Sequence, residues 1–274
     1  MHDPVAGGVM PTLAGAAVGT GLAALVAGSA WRAGSLSRSG AMAALVIGSL
    51  AMTAGRGWGL FLVVWFVTAS VASRVGRHTK ETATGDVVAK GGRRDAAQVV
   101  ANGGVFALCA LSNFAFDTPA LALAGAAALV AAGADTLATE TGTLWRGQPW
   151  SLRTFAPVPS GTSGAVSLAG TVGMTAGAVL LALSAAVCGL IDPSDVTVVA
   201  LAGVAGAVAD TVIGAFWQLR RWCPACQRET EQAVHRCGKP TQAWRGVPWL
   251  NNDVVNFVCT VTGAVLVAGV RIVS

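Results

Sequence analysis

The sequence predicts an all-α protein, a polytopic membrane helix bundle of about eight transmembrane helices with a small cytoplasmic Cys/His loop. Three observations predict it. Only 11% of the residues are charged and the mean hydropathy is +0.63, whereas a soluble domain carries about 25% charged residues. Apolar runs of about 20 residues, the length that crosses a hydrocarbon core, recur along the chain. The basic residues also segregate to alternate connections between those runs.

Taken in order, the candidate spans are 9–31, 39–55, 58–74, 96–116, 119–141, 164–190, 196–219 and 252–273. The first starts near Val9 without the basic leader and small-residue cleavage site of a secretory signal, so it reads as a retained helix. The second is short and flanked by glycine, which fits a tilted or re-entrant segment. Of the 18 Lys and Arg residues, only Arg56 and Arg271 fall outside the connections that follow spans one, three, five and seven. By the positive-inside rule this gives eight crossings of a cell membrane, both termini outside and an active face in the cytoplasm. The net charge of +5 therefore speaks to topology rather than to nucleic acid. Residues 1–274 read as a single integral membrane domain, with a Cys/His-containing insertion at 223–250. The outside loops are minimal ("FDTP", "IDPSD"); the inside loops are long and polar. Abundant small residues, such as Gly15-x-x-x-Gly19, suit close helix packing in lipid.

Ionisable residues within or capping a membrane span are costly and point to function. Here they are Asp95, Asp135, Glu140, Asp210 and Asp253, all near inward helix ends. Asp95 and Asp253 stand at helix starts, where N-capping competes with a functional role. Asp135 and Asp210 stand a few residues before helix ends, where the macrodipole opposes a carboxylate. A divalent cation or an arginine is the natural compensation. Asp135 and Glu140 are five residues apart, about 140° round a helix, so one helix cannot offer both to one ion. Asp135 needs a partner from another helix, Asp210 or Asp253, and an all-oxygen set favours Mg²⁺. A weak repeat places Ala134-Asp135-Thr136 on Ala209-Asp210-Thr211.

Phosphate-binding features accompany the acids. "KGGRRDAAQVVANGG" sets Lys90, Arg93 and Arg94 beside two glycines before a helix start, with Asn102 one turn beyond Gln98. "PSGTSGAVS" offers Gly161, Thr162 and Ser163 in a turn entering a helix. Asn252 and Asn256 flank Asp253. No Walker A loop is present. "CPACQRETEQAVHRC" has the ligand types and spacing of a small zinc knuckle, Cys223, Cys226, His235 and Cys237, with incidental or redox thiols as the rival reading. Cys109, Cys188 and Cys259 lie in apolar spans and read as packing residues. His2 and His78 are isolated, so no nucleophile–base set emerges.

The motifs "GGRRDAAQVVANGG", "GADTLATETG", "VPSGTSGAVSLAGT", "ADTVIGAFWQ" and "WLNNDVVNF" resemble the membrane family that includes plant phytyl-phosphate kinase and animal transmembrane protein 19. The resemblance runs from about Arg74 to the C-terminus. More distantly, the Asp-bearing helix end and phosphate turn are similar to CTP-dependent polyprenol kinases and CDP-diacylglycerol synthases. Those families carry Lys and Glu around the Thr-Gly of the turn; here Ser160-Gly161-Thr162-Ser163-Gly164 has neither. The resemblance implies a CTP-dependent kinase that converts an isoprenyl monophosphate (phytyl or geranylgeranyl) to the diphosphate. Asp135, Asp210, Asp253 and Glu140 would carry the chemistry with Mg²⁺, and CTP would be co-substrate. Two competing readings are a polyprenyl or anionic-lipid transporter and a cytidylyltransferase of a lipid phosphate.

Overall fold

The computed structural model describes residues 13–145 and 147–273. Residues 9–12 of the first expected span, and Arg146, lie outside the described residues. The helices are α1 (Leu13–Arg32), α2 (Arg38–Ala54), α3 (Arg56–Arg74), α4 (Arg77–Thr84), α5 (Ala96–Phe116), α6 (Pro119–Leu144), α7 (Leu168–Val187), α8 (Val196–Phe216) and α9 (Asn252–Val273). Apart from the short α4, each overlays one expected span. Six are long and apolar enough to cross a membrane: α3, α5, α6, α7, α9 and the helical stretch Pro193–Phe216 that contains α8. The apolar α2 is 17 residues long, and α1 has 20. Large apolar side chains point outward along the bundle, among them Leu25, Leu108, Leu180 and Leu201. This is the surface that lipid covers, and the chain is an integral multi-pass membrane protein.

Local chemistry sets the helix ends. Ser37 caps α2 by accepting from the Gly40 amide, and Ser167 caps α7 by accepting from Gly170. Asp95 and Gln98 form a reciprocal capping box at the start of α5. Pro119 opens α6 at a position where its missing N–H costs nothing. The seventh helix begins at Leu168 rather than at 164, because Ala165 and Val166 form a strand, β2, paired antiparallel with β1 (Trp150–Ser151). Between α8 and α9 lies a three-stranded antiparallel sheet in the order β4-β3-β5, from β3 (Arg220–Cys223), β4 (Arg228–Thr230) and β5 (Gln242–Arg245). Both sheets and α4 lie in the long connections that carry the basic residues.

The sixth helix runs through the centre of the bundle. Every residue from Leu123 to Ala134 is buried, as expected of a helix apolar all round. It packs against α3, α4, α5, α7, α8 and α9. Close approach comes from missing side chains. A Cβ added at Gly203 would lie 2.4 Å from Val130 Cγ1, and one at Gly206 would lie 2.6 Å from Ala131 Cβ and 2.7 Å from the Cys259 carbonyl. Gly206 therefore sets the junction of α6, α8 and α9. Gly206→Val is expected to lower the melting temperature in detergent, an overpacking cost of about 1–3 kcal/mol. Gly21→Ala, where an added Cβ meets nothing within 4 Å, should not lower it. Equal melting of the Gly206→Val and wild-type proteins would contradict this packing.

Candidate functional site

Asp135 stands nine residues before the end of α6 and Asp210 six before the end of α8. At 1.5 Å per residue they lie about 14 Å and 9 Å inside those ends. The glycine contacts of α8 on α6 bring these two helix faces together. Asp135 and Asp210 are close enough for their charges to act on one another, and Cys259 of α9 lies within reach of both. The Oδ2 of Asp210 is buried and has no hydrogen-bond partner. The charges that reach Asp210 are those of Asp135 and Glu231, both negative. Among the described residues no ion pair involves Asp135 or Asp210.

The third acid in this cluster is Glu231, which the sequence reading did not single out. It follows β4 and has a 6% exposed side chain. Burial pushes its carboxyl above the usual range, against the pull of Arg220 and Ser163. Ser163 Oγ donates to Glu231 Oε1 at 2.6 Å, and Arg220 Nη1 donates to the same oxygen at 2.5 Å. Arg220 is itself only 1% exposed and also pairs with Glu229 at 3.0 Å. The turn that presents Ser163 is pressed onto the end of α8. Gly164 has φ +73°, and a Cβ there would lie 2.3 Å from Ala215 Cα. Glycine is thus required twice over, by backbone and by contact. Thr162 Oγ1 is turned back to donate to the Pro159 carbonyl, and Gly161 rests on Thr84.

Asp253 occupies a different place. Lys90 Nζ lies 2.5 Å from Asp253 Oδ2 and 2.9 Å from Asp95 Oδ2. Partial burial works to lower the Lys90 ammonium, but the two carboxylates outweigh it and hold it raised. The reason is helical phase. Thr260, seven residues on from Asp253, shares its face and donates to the Ala101 carbonyl of α5. Cys259, which meets Asp135 and Asp210, stands about 120° away round α9. The N-cap role weighed for Asp253 belongs to Asn251, whose Oδ1 accepts from the Val254 amide. Asn252 and Asn256 are half-buried in the first turns of α9.

Glu140 sits in a third cluster. Lys80 of α4 is buried and donates to Glu140 Oε2 and to the Ala72 carbonyl. The Arg94 guanidinium lies within reach of Glu140 and donates to Ser73 Oγ at 3.2 Å. Burial presses that guanidinium down from its usual range, with the Glu140 charge opposing. Arg94, Gln98 and Asn102 form the polar end of an apolar cavity walled by α1, α2, α3 and α5, with Ile47, Met52 and Phe66 on its sides. Asn102 Nδ2 donates to the Gln98 carbonyl. Arg93 is exposed and lies over Gly34. Lys80 had no signal of its own, because its place depends on how α4 docks on α6. Glu231 had none, because its place depends on how the sheet docks.

Residues 21–264 match the family described as integral membrane protein DUF92. The chain belongs to that family. Protein PGR of Arabidopsis thaliana is 30% identical over 263 residues, 86% of this chain and 89% of that protein. The uncharacterized membrane protein sll0875 of Synechocystis is 32% identical over 224 residues, 80% and 76% of the two chains. Protein VTE6, chloroplastic, of Arabidopsis thaliana is 28% identical over 256 residues, 91% of this chain and 69% of that protein. No solved structure matches. The family membership bears out the resemblance read from the five motifs.

The ion pair between α4 and α6 yields a direct expectation. Lys80→Met leaves the Glu140 carboxylate with the Arg94 charge but no ion-pair partner, and breaking a buried pair from one side costs up to about 3–5 kcal/mol. The double variant Lys80→Met/Glu140→Gln should recover much of the loss. Thermal melts of the purified variants check it; a single variant as stable as the wild type would contradict the pairing.

Proposed function

We propose that this protein is a CTP-dependent kinase that converts an isoprenyl monophosphate to the diphosphate, working at its basic face, which faces the cytosol. The observation that carries the proposal is the convergence of Asp135 and Asp210 with no cation paired to either. Two half-buried carboxylates whose charges act on one another are unfavourable unless a proton or a metal ion neutralises them. The donors are all oxygen, which fits Mg²⁺. Asp135 and Asp210 would hold the ion, which when bound neutralises phosphate charge during transfer. Asp253 is already paired with Lys90.

The residues around the acids divide the remaining work. Lys90, Arg93 and the Gly161–Gly164 turn offer charge and backbone donors to the nucleotide phosphates. Arg94 stands where a lipid phosphate would meet the polar end of the apolar cavity, whose walls suit a hydrocarbon tail. In the reaction a non-bridging oxygen of the lipid phosphate attacks the γ-phosphorus of CTP. The bond from that phosphorus to the β-phosphate oxygen breaks, and CDP leaves. The attacking oxygen is already anionic, so no strong base is needed, which accords with the lack of a nucleophile–base set. What remains is positioning and charge stabilisation. The motif resemblance supports the lipid-phosphate assignment, within a family of integral membrane proteins.

Protein purified in nanodiscs with CTP, Mg²⁺ and phytyl or geranylgeranyl monophosphate should form CDP and the lipid diphosphate. Asp135→Asn and Asp210→Asn should each lower turnover by on the order of 100-fold or more while melting like the wild type. Pyrophosphate release in place of CDP would identify cytidylyl transfer instead. No product with any nucleoside triphosphate, or full activity in Asp135→Asn, would overturn the proposal.

A further inference from the structure

The sheet between α8 and α9 carries a feature that the kinase reading does not use. Cys223, Cys226, His235 and Cys237 each present a ligand atom, and the four atoms lie within 4.8 Å of one another. Two hairpins bring them there. Cys223 ends β3, and the turn to β4 holds Cys226, with Gln227 at φ +52° donating to the Pro224 carbonyl. In the second, Val234 bridges Pro240, and the His235 amide donates to the Lys239 carbonyl. Gly238 at φ +80° closes that turn.

The spacings are those of a shared ion. Cys223 and Cys237 Sγ atoms are 3.7 Å apart, and His235 Nδ1 is 3.3 Å from Cys237 Sγ. Tetrahedral ligands at about 2.3 Å for sulfur and 2.0 Å for nitrogen have edges of about 3.8 Å and 3.5 Å. A disulfide would need about 2.05 Å. The His235 ring is buried and its Nε2 has no hydrogen-bond partner, so its polar contacts are those to Cys237. The three strands have four, three and four residues, too few to hold a fold by apolar burial alone.

We infer that Cys223, Cys226, His235 and Cys237 bind one structural zinc ion, and that this ion holds the sheet whose edge delivers Glu231 to Asp210 and Ser163. Four protein ligands close the tetrahedron and leave no open position for chemistry. The sheet in turn clamps the segment after α4. The Glu231 amide donates to the Val87 carbonyl at 2.8 Å, Gln232 Nε2 donates to the Gly85 and Val88 carbonyls, and Arg228 pairs with Asp86. Zinc thus acts on the acidic cluster through position alone, whatever reaction that cluster performs.

The test uses the full chain, purified without a polyhistidine tag from zinc-supplemented cells. Elemental analysis should find about one zinc per chain, falling roughly tenfold or more in Cys223→Ser/Cys226→Ser and unchanged in Asp135→Asn. Replacement by Co²⁺ in the wild-type protein should give thiolate charge-transfer and tetrahedral d–d absorption, which needs no variant to fold. Stripping zinc with a chelator should speed hydrogen exchange at Glu231 and Gln232 while α6 stays protected. Metal-free wild-type protein, a Cys223–Cys237 disulfide, or zinc retained in the double variant would overturn the site. Unchanged exchange at Glu231 after verified zinc removal would overturn its positioning role.

Discussion

Close packing around α6 is the constraint on which the rest of the structure depends. In lipid there is no hydrophobic force to drive helices together, so association rests on surface fit. The protein meets this with small residues. Gly203, Gly206 and Gly263 each sit where a Cβ would collide with Val130, Ala131 or Ala127. The same short interhelical distances that satisfy the packing bring Asp135 and Asp210 within each other's field. Site and fold therefore share one cause: carboxylates on looser helices would each find water or a separate partner.

The charges at the basic face are sorted by this packing. Glu140 is met by Lys80 and Arg94, and Asp253 with Asp95 by Lys90. Glu231 and Glu229 are met by Arg220. Asp135 and Asp210 alone among the acids singled out in the sequence have no ion-pair partner among the described residues. An acid met by a cation ties elements together, whereas Asp135 and Asp210 share their field without one. The pairs also join elements distant in sequence, since α4 is tied to α6, the loop before α5 to α9, and the sheet to the segment after α4. The basic face is one connected platform rather than a set of loops.

Much of this was legible from the chain. Span boundaries followed from hydropathy because a 20-residue apolar run has few alternatives in a membrane. The N-cap role weighed for Asp95 rested on a local pattern, and the structure adds Gln98 as its reciprocal partner. The incompatibility of Asp135 and Glu140 followed from helical phase, and the structure places them in separate clusters. Lys80 and Glu231 were not legible. Each lies in a polar connection whose composition says only that it is outside the hydrocarbon. The face of α9 that bears Asp253 was equally open, because about 120° of rotation separates a residue aimed at α5 from one aimed at α6 and α8.

By itself the sequence determined the class of fold, the order of the membrane spans to within a few residues at their ends, and the residue types available at one face. Those depend on local properties: transfer energy, period and capping. Only the tertiary structure decided which acids act on one another, that the charge of Glu231 rather than of Asp253 reaches Asp210, and that Glu140 is paired with Lys80. Those outcomes depend on interhelical distance and rotation, where a shift of one residue turns a side chain by about 100°. No local pattern encodes that rotation; the glycine contacts of α6, α8 and α9 do.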